Sequence, residues 1–176
     1  MVAQRNEKAN ITAIDVDKQA VKQAKNNVIL SPWSNRIEVV QADATIFESP
    51  VLYDTILSNP PYFVGGAVSK SAPVARHERL CSLDSLFASA AWALQYGGDF
   101  FLVHKPERLA ELCSCATAHK LEPKRLMLLR HQPSDPVNLI FLQCRKGGKP
   151  GLVWEEECLQ DANGNHSDYY RRLYHI

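Results

Sequence analysis

Three places in this 176-residue chain carry side chains whose types and spacing could do chemistry. Asn59-Pro60-Pro61-Tyr62 offers the side-chain oxygen of Asn59 and the backbone oxygen of Pro60, on a backbone that the prolines stiffen. Such a pair of acceptors can hold both hydrogens of a flat, conjugated NH2 group. The lone pair of that nitrogen is otherwise delocalised, and gripping both hydrogens favours a pyramidal nitrogen aimed at an electrophile. The Tyr62 ring can stack on a planar base. Asp15 and Asp43 each stand at or just beyond the end of a short apolar run. A carboxylate there can accept from a pair of ribose hydroxyls or from an adenine amino group. The plainer readings are a proline turn with Tyr62 as packing, and acids such as Asp17 and Asp43 that merely cap helices.

The elements that must position these residues alternate between strand and helix. Ile11 to Asp15 reads as a strand. Asp17 to Val28 then puts Ala20, Val21, Ala24 and Val28 on one helical face, with Asp17 as the cap. Arg36 to Val40 is a second strand, and Tyr53 to Ser58 a third, stopped by Asn59-Pro60-Pro61. Leu83, Leu86, Phe87, Ala90, Ala91 and Leu94 form a helical stripe that Gly97-Gly98 is expected to end. Phe100 to Val103 is a strand, and Pro106 opens a helix that buries Leu109, Leu112, Cys113 and Ala116. Leu126 to Leu129 and Val137 to Cys144 read as two final strands without a helix between them, hence an antiparallel pair. The fold class is α/β, a mostly parallel sheet covered by helices. Residues 64–76 read as one long loop.

Composition supports one globular domain over residues 1–176: hydrophobic residues are 45% and charged residues 22%, with net charge +1. That balance gives no sign of a polyanion partner, although Lys120 to Lys149 contains seven Lys or Arg against two acids. The five cysteines lack disulfide or zinc spacing, and no metal site is expected. There is no signal peptide and no membrane-spanning run. Reduced thiols and a cytoplasmic location are expected accordingly.

A strand ending in Asn-Pro-Pro-Tyr resembles motif IV of the amino-methyltransferases. The longer combination is narrower. Ser31-Pro32-Trp33, Arg36-Ile37, Ala42-Asp43 and Ile56 to Tyr62 resemble the bacterial tRNA adenine-N6 methyltransferases that act on the adenosine 3′ of the anticodon in a valine tRNA. Ala75-Arg76-His77-Glu78, His104 to Leu109, Leu121 to Arg125 and Gly148 to Gly151 resemble the Gram-positive relatives of that group. The resemblance implies a Rossmann-like class I methyltransferase sheet with S-adenosyl-L-methionine as cofactor and tRNA as substrate. Asp15 with Val16 would hold the cofactor ribose and Asp43 with Ala44 its adenine. Asn59, Pro60, Pro61 and Tyr62 would hold the target base, Asn59 touching the cofactor side as well. Arg76, His77, Lys105, Lys124 and Arg125 would contact RNA. The family's first strand and glycine-rich loop have no counterpart here, so two open strand edges and exposed apolar surface are expected. The last helix, too, is expected to stop short at Tyr169 to Ile176. Rival readings are methylation of a protein glutamine N5 or of a ribosomal guanine N2, and an inactive chain that only binds RNA or a partner.

Overall fold

The structure is a computed structural model that describes residues 2–62 and 82–174. The chain divides into two compact units, Met1–Glu48 and Ser49–Ile176. In the first, a short helix α1 (Val2–Arg5) leads to strand β1 (Ile11–Asp15), helix α2 (Lys18–Ile29) and strand β2 (Ile37–Gln41). The two strands pair in parallel from Ile11–Ile37 to Asp15–Gln41. Helix α2 starts where the sequence indicates, because the Asp17 carboxylate accepts from the backbone N–H groups of Gln19 and Ala20 at 2.8 and 2.7 Å. Its apolar stripe buries Val21. Arg36, at the mouth of β2, donates to three carbonyls: those of Asn6 and Ala9 from Nη1 at 3.0 and 2.8 Å, and that of Ala3 from Nη2 at 3.0 Å. One guanidinium thus fastens α1 and the turn after it to the start of β2.

The second unit holds strands β3 (Tyr53–Ser58), β4 (Leu94–His104), β5 (Leu121–Arg130), β6 (Leu139–Lys146) and β7 (Val153–Cys158), with helices α3 (Leu83–Ala93), α4 (Leu109–Ala118) and α5 (Asp168–Tyr174). Their order in the sheet is β3-β4-β6-β5-β7. Pairs β3–β4 and β5–β7 are parallel, whereas β6 runs antiparallel to both β4 and β5. The mostly parallel α/β sheet and its antiparallel pair are therefore present. Alternation along the strands sorts the two faces. Phe100, Leu102, Ile140, Leu142 and Cys144 are buried with Phe87 of α3 and Leu112 of α4, and Phe87 meets Phe100 edge-on at 5.2 Å. Leu57 and Phe141 are exposed, Leu57 at 59%. Among the described residues β1 pairs only with β2 and β3 only with β4, so both have an open edge.

Two expectations need correction. The helix stripe ends at Ala93, not at Gly97-Gly98, and Leu94 already belongs to β4. The glycines lie inside that strand, where the pairing shifts from Tyr53–Leu94 to Thr55–Asp99. Gly97 takes φ +82 there, a conformation that side-chain-bearing residues rarely adopt. The pair β5–β6 is also not the end of the sheet, because β7 adds to the edge of β5. It carries the acidic run Glu155-Glu156-Glu157, and each acid meets an arginine. Arg125 reaches Glu155 at 2.6 Å, Arg130 reaches Glu156 at 3.4 Å and Arg172 reaches Glu157 at 3.3 Å. Those pairs let three adjacent acids lie along a strand. Across β4 and β6, Arg145 grips Asp99 with two hydrogen bonds of 2.9 Å and holds its carboxyl below the usual aspartate range. Cys113, Cys115, Cys144 and Cys158 are free thiols, and burial pushes Cys144 up to about 12.

The three carbonyls gathered by Arg36 make a direct prediction. Replacing Arg36 with Gln leaves all three without a charged donor and is expected to cost about 1.5–3 kcal/mol. Urea unfolding of both chains measures it, and a midpoint unchanged by the substitution counts against this role for the guanidinium.

Candidate functional site

In the first unit the paired ends of β1 and β2 bring Asp15 and Asp43 onto neighbouring strand termini. The Ala42 N–H donates to the Asp15 carbonyl at 3.0 Å, continuing the pairing one step past the strands. Asp15 is exposed, and its Oδ1 accepts from the Asp17 N–H at 2.8 Å. Asp43 is half-buried, and its Oδ1 accepts from both the backbone N–H and the hydroxyl of Thr45, at 2.8 and 2.7 Å. In each carboxylate one oxygen is oriented by the adjoining turn, and the other has no partner among the described residues. Two aimed acceptors on adjacent strand ends suit a ligand that presents hydroxyl and amino donors. Val16 offers its carbonyl to Gln41 Nε2 at 3.3 Å, and Ala44 lies between Asp43 and Thr45 in the same turn.

The second unit carries the Asn-Pro-Pro-Tyr turn at the end of β3. Asn59 and Pro61 are exposed, Pro60 is buried and Tyr62 is half-buried. The buried Pro60 anchors the turn while the Asn59 amide stays available. Tyr62 Oη donates to Asn59 Oδ1 at 2.5 Å. An amide oxygen has two acceptor directions, so this bond uses one, orients the group and leaves the other for a ligand N–H. The parallel register sets Ser58 beside Leu102 of β4, which brings the turn next to the residues that end β4. There the His104 ring meets the Tyr62 ring edge-on, with centroids 5.4 Å apart and planes at 72°. Lys105 Nζ stands 5.9 Å over the Tyr62 ring and is held by the carbonyl and side-chain oxygens of Asn138 at 3.1 and 2.7 Å. His104 is wholly buried, and its Nδ1 accepts from the Lys105 N–H at 2.8 Å. Burial first, and the nearby Arg108 second, hold its imidazole below the ordinary histidine range.

Ser58 and Asn59 also help line a concavity of about 750 Å³ on the open face of the sheet, with Phe101, Met127 and Phe141 among its apolar walls. Of the residues expected to contact RNA, Arg76 and His77 lie outside the described residues. Lys124 Nζ donates to the Lys149 carbonyl at 2.9 Å, and Arg125 pairs with Glu155. Lys146 reaches the Leu94 carbonyl at 2.6 Å. Much of the basic stretch therefore serves the chain's own groups. Lys105 differs in standing beside the Asn-Pro-Pro-Tyr turn. From sequence alone His104 has a place near a cleft but no role, and Asn138 goes unnoticed; the signal for both is their place flanking strand ends.

The family described as the methyltransferase small domain matches residues 1–112. A tRNA1(Val) (adenine(37)-N6)-methyltransferase of Tolumonas auensis is 36% identical over 177 residues, covering 98% of this chain and 73% of the relative. One of the same description from Bacteroides thetaiotaomicron is 31% identical over 176 residues, covering 98% and 74%. In fold, the chain is similar to the crystal structure of a predicted O-methyltransferase from Agrobacterium tumefaciens. The TM-score is 0.80 at 18% identity, covering 99% of this chain and 81% of that one.

The buried imidazole has a consequence for pH dependence. Because His104 titrates lower in the folded chain than its unfolded value of about 6.5, the unfolded chain takes up the proton first. Its contribution to stability is complete above that value and is lost as pH falls through the folded one. Denaturant midpoints measured from pH 7.5 downward are expected to fall less steeply for a His104→Phe chain than for the parent. Equal slopes would mean that the imidazole is not protonated only on unfolding.

Proposed function

The chain belongs to the methyltransferase small domain family and, within it, to the tRNA1(Val) (adenine(37)-N6)-methyltransferases, and on that footing we propose that it moves a methyl group from S-adenosyl-L-methionine to the exocyclic N6 of an adenosine beside a tRNA anticodon. The observation that carries the reading is the turn after β3. An exposed Asn59 amide, on a backbone anchored by buried Pro60, lies beside a Tyr62 ring that is restrained at its hydroxyl.

The chemistry of the residues fits. Bound S-adenosyl-L-methionine supplies a methyl group made electrophilic by its sulfonium. Asp15 and Asp43 each present one carboxylate oxygen without a partner among the described residues, the acceptors that ribose hydroxyls and an adenine amine require. Asn59 Oδ1 and the Pro60 carbonyl take the two amine hydrogens, which localises the nitrogen lone pair for attack. With a cationic donor the amine needs no strong base before transfer. Tyr62 offers a stacking surface to an adenosine that leaves its own stack, a step easier from a loop than from a duplex. Lys105 is the RNA contact favoured by its place, with Lys124 and Arg125 at a secondary level because their side chains are engaged.

The relatives' adenine specificity weighs against glutamine N5 and guanine N2 as acceptors. No described helix is long and apolar enough to cross a membrane, and the described residues hold no cluster of His, Cys, Asp and Glu fit for a metal ion. Work on tRNA would place the protein in the cytoplasm.

The test is methylation of total tRNA and then nucleoside analysis. N6-methyladenosine is the expected product, and Asn59→Ala is expected to lower kcat/KM by about 10²–10³-fold. Labelled methyl appearing in a release factor, or as N2-methylguanosine, would overturn the assignment.

A further inference from the structure

We propose that His104 is a positioning residue for this reaction: it fixes the Tyr62 ring, and through it both the stacking surface and the hydroxyl that orients Asn59. The inference rests on the proposed methyl transfer and adds to it a residue that the reaction itself does not require.

His104 closes β4 on the buried side of the strand, in step with Phe100 and Leu102. A histidine in that setting has two ring nitrogens to satisfy. Nδ1 accepts the Lys105 N–H at 2.8 Å, so it carries no hydrogen, and the ring proton of the neutral form must sit on Nε2. Nε2 is buried and has no oxygen or nitrogen partner among the described residues. A donor left so in the interior persists only where something else offsets the loss. Among the described residues the Tyr62 ring stands beside the imidazole, edge-to-face at 5.4 Å and 72°, the arrangement in which a polarised ring edge meets π electrons. The next residue works on the same ring, since Lys105 holds its ammonium 5.9 Å over it with Asn138 as anchor. Tyr62 is thus restrained by an imidazole, by a cation and, at its hydroxyl, by Asn59.

The same facts argue against His104 as the group that takes up the proton released from N6. Its acceptor nitrogen already holds a backbone N–H, and its other nitrogen bears the hydrogen. A second proton would place a cation in the interior, which burial and the nearby Arg108 guanidinium both oppose, and the pull of Glu111 and Glu107 does not reverse that direction.

The experiment compares the full chain with His104→Phe and His104→Ala in tRNA methylation, with kcat and KM read separately and kcat/KM measured across pH. Thermal melts check folding, and NMR reads the histidine ring nitrogens and the Tyr62 ring protons. The alanine chain is expected to lose about 10–100-fold in kcat/KM, and the phenylalanine chain, which restores an aromatic edge but cannot carry a proton, to regain most of it. The shape of the pH profile should be shared by parent and phenylalanine chains. A folded phenylalanine chain as impaired as the alanine one, or one missing a limb of the pH profile, overturns the proposal in favour of proton transfer. If the parent methylates no RNA, the functional assignment fails, and the Tyr62 resonances decide this point separately. Faster ring flipping in the alanine chain supports positioning, and unchanged signals overturn it. Should the alanine chain not fold, the parent imidazole is read instead. A protected Nε2 proton in contact with Tyr62 supports the proposal, and a proton on Nδ1 sinks it.

Discussion

The parallel pairing of β3 with β4 governs the chemistry of the second unit. With Thr55 beside Asp99 and Ser58 beside Leu102, the two strands leave the sheet within a residue or two of each other. The residues after Ser58 must therefore meet the residues after Leu102. Those are Asn59-Pro60-Pro61-Tyr62 after β3 and Val103-His104-Lys105 at the end of β4. The irregularity at Gly97 matters for this reason: it absorbs the extra length of β4 at the far end, so that the near ends stay aligned. An alignment shifted by one residue would turn His104 to the opposite face and separate it from Tyr62.

Charge is used in this chain mainly to organise backbone. Arg36 collects carbonyls, Arg145 joins β4 to β6 through Asp99, and Arg125 and Arg130 hold β7 against β5. A count of cations between Lys120 and Lys149 suggests an anion-binding surface, but their partners are largely protein groups. Lys105 is different because its partner, Asn138, holds it over an aromatic ring, where a cation is attracted by the π face.

The sequence is most informative where local chemistry decides. The Asp17 cap, the period of α2 and the proline stop after Ser58 are short-range signals, and the structure agrees with them. The acceptor character of Asp15, Asp43 and Asn59 is legible for the same reason. Features decided by pairing across the sheet are not. Glu155-Glu156-Glu157 has no strand signal until arginines of β5 and α5 come alongside. Gly97-Gly98 looks like a helix terminator because Gly commonly is one, and only the partner strand shows it to be a bulge. The contact of His104 with Tyr62 joins residues 42 positions apart, and no periodicity reports it.

The arginine–glutamate pairs that hold β7 have a bearing on how RNA binding to this protein would be measured. Partly solvated pairs weaken as mobile ions screen them, and ionic strengths near 1 M shrink the screening distance to about 3 Å. The grip of polycation on polyanion declines over the same range, because less is gained by releasing counterions from the nucleic acid. A salt titration of affinity would therefore superimpose loosening of the β7 edge on loss of phosphate contacts, and its slope would overstate the number of phosphates touched. Monitoring Trp154 of β7 through its fluorescence in the same titration would separate the two contributions.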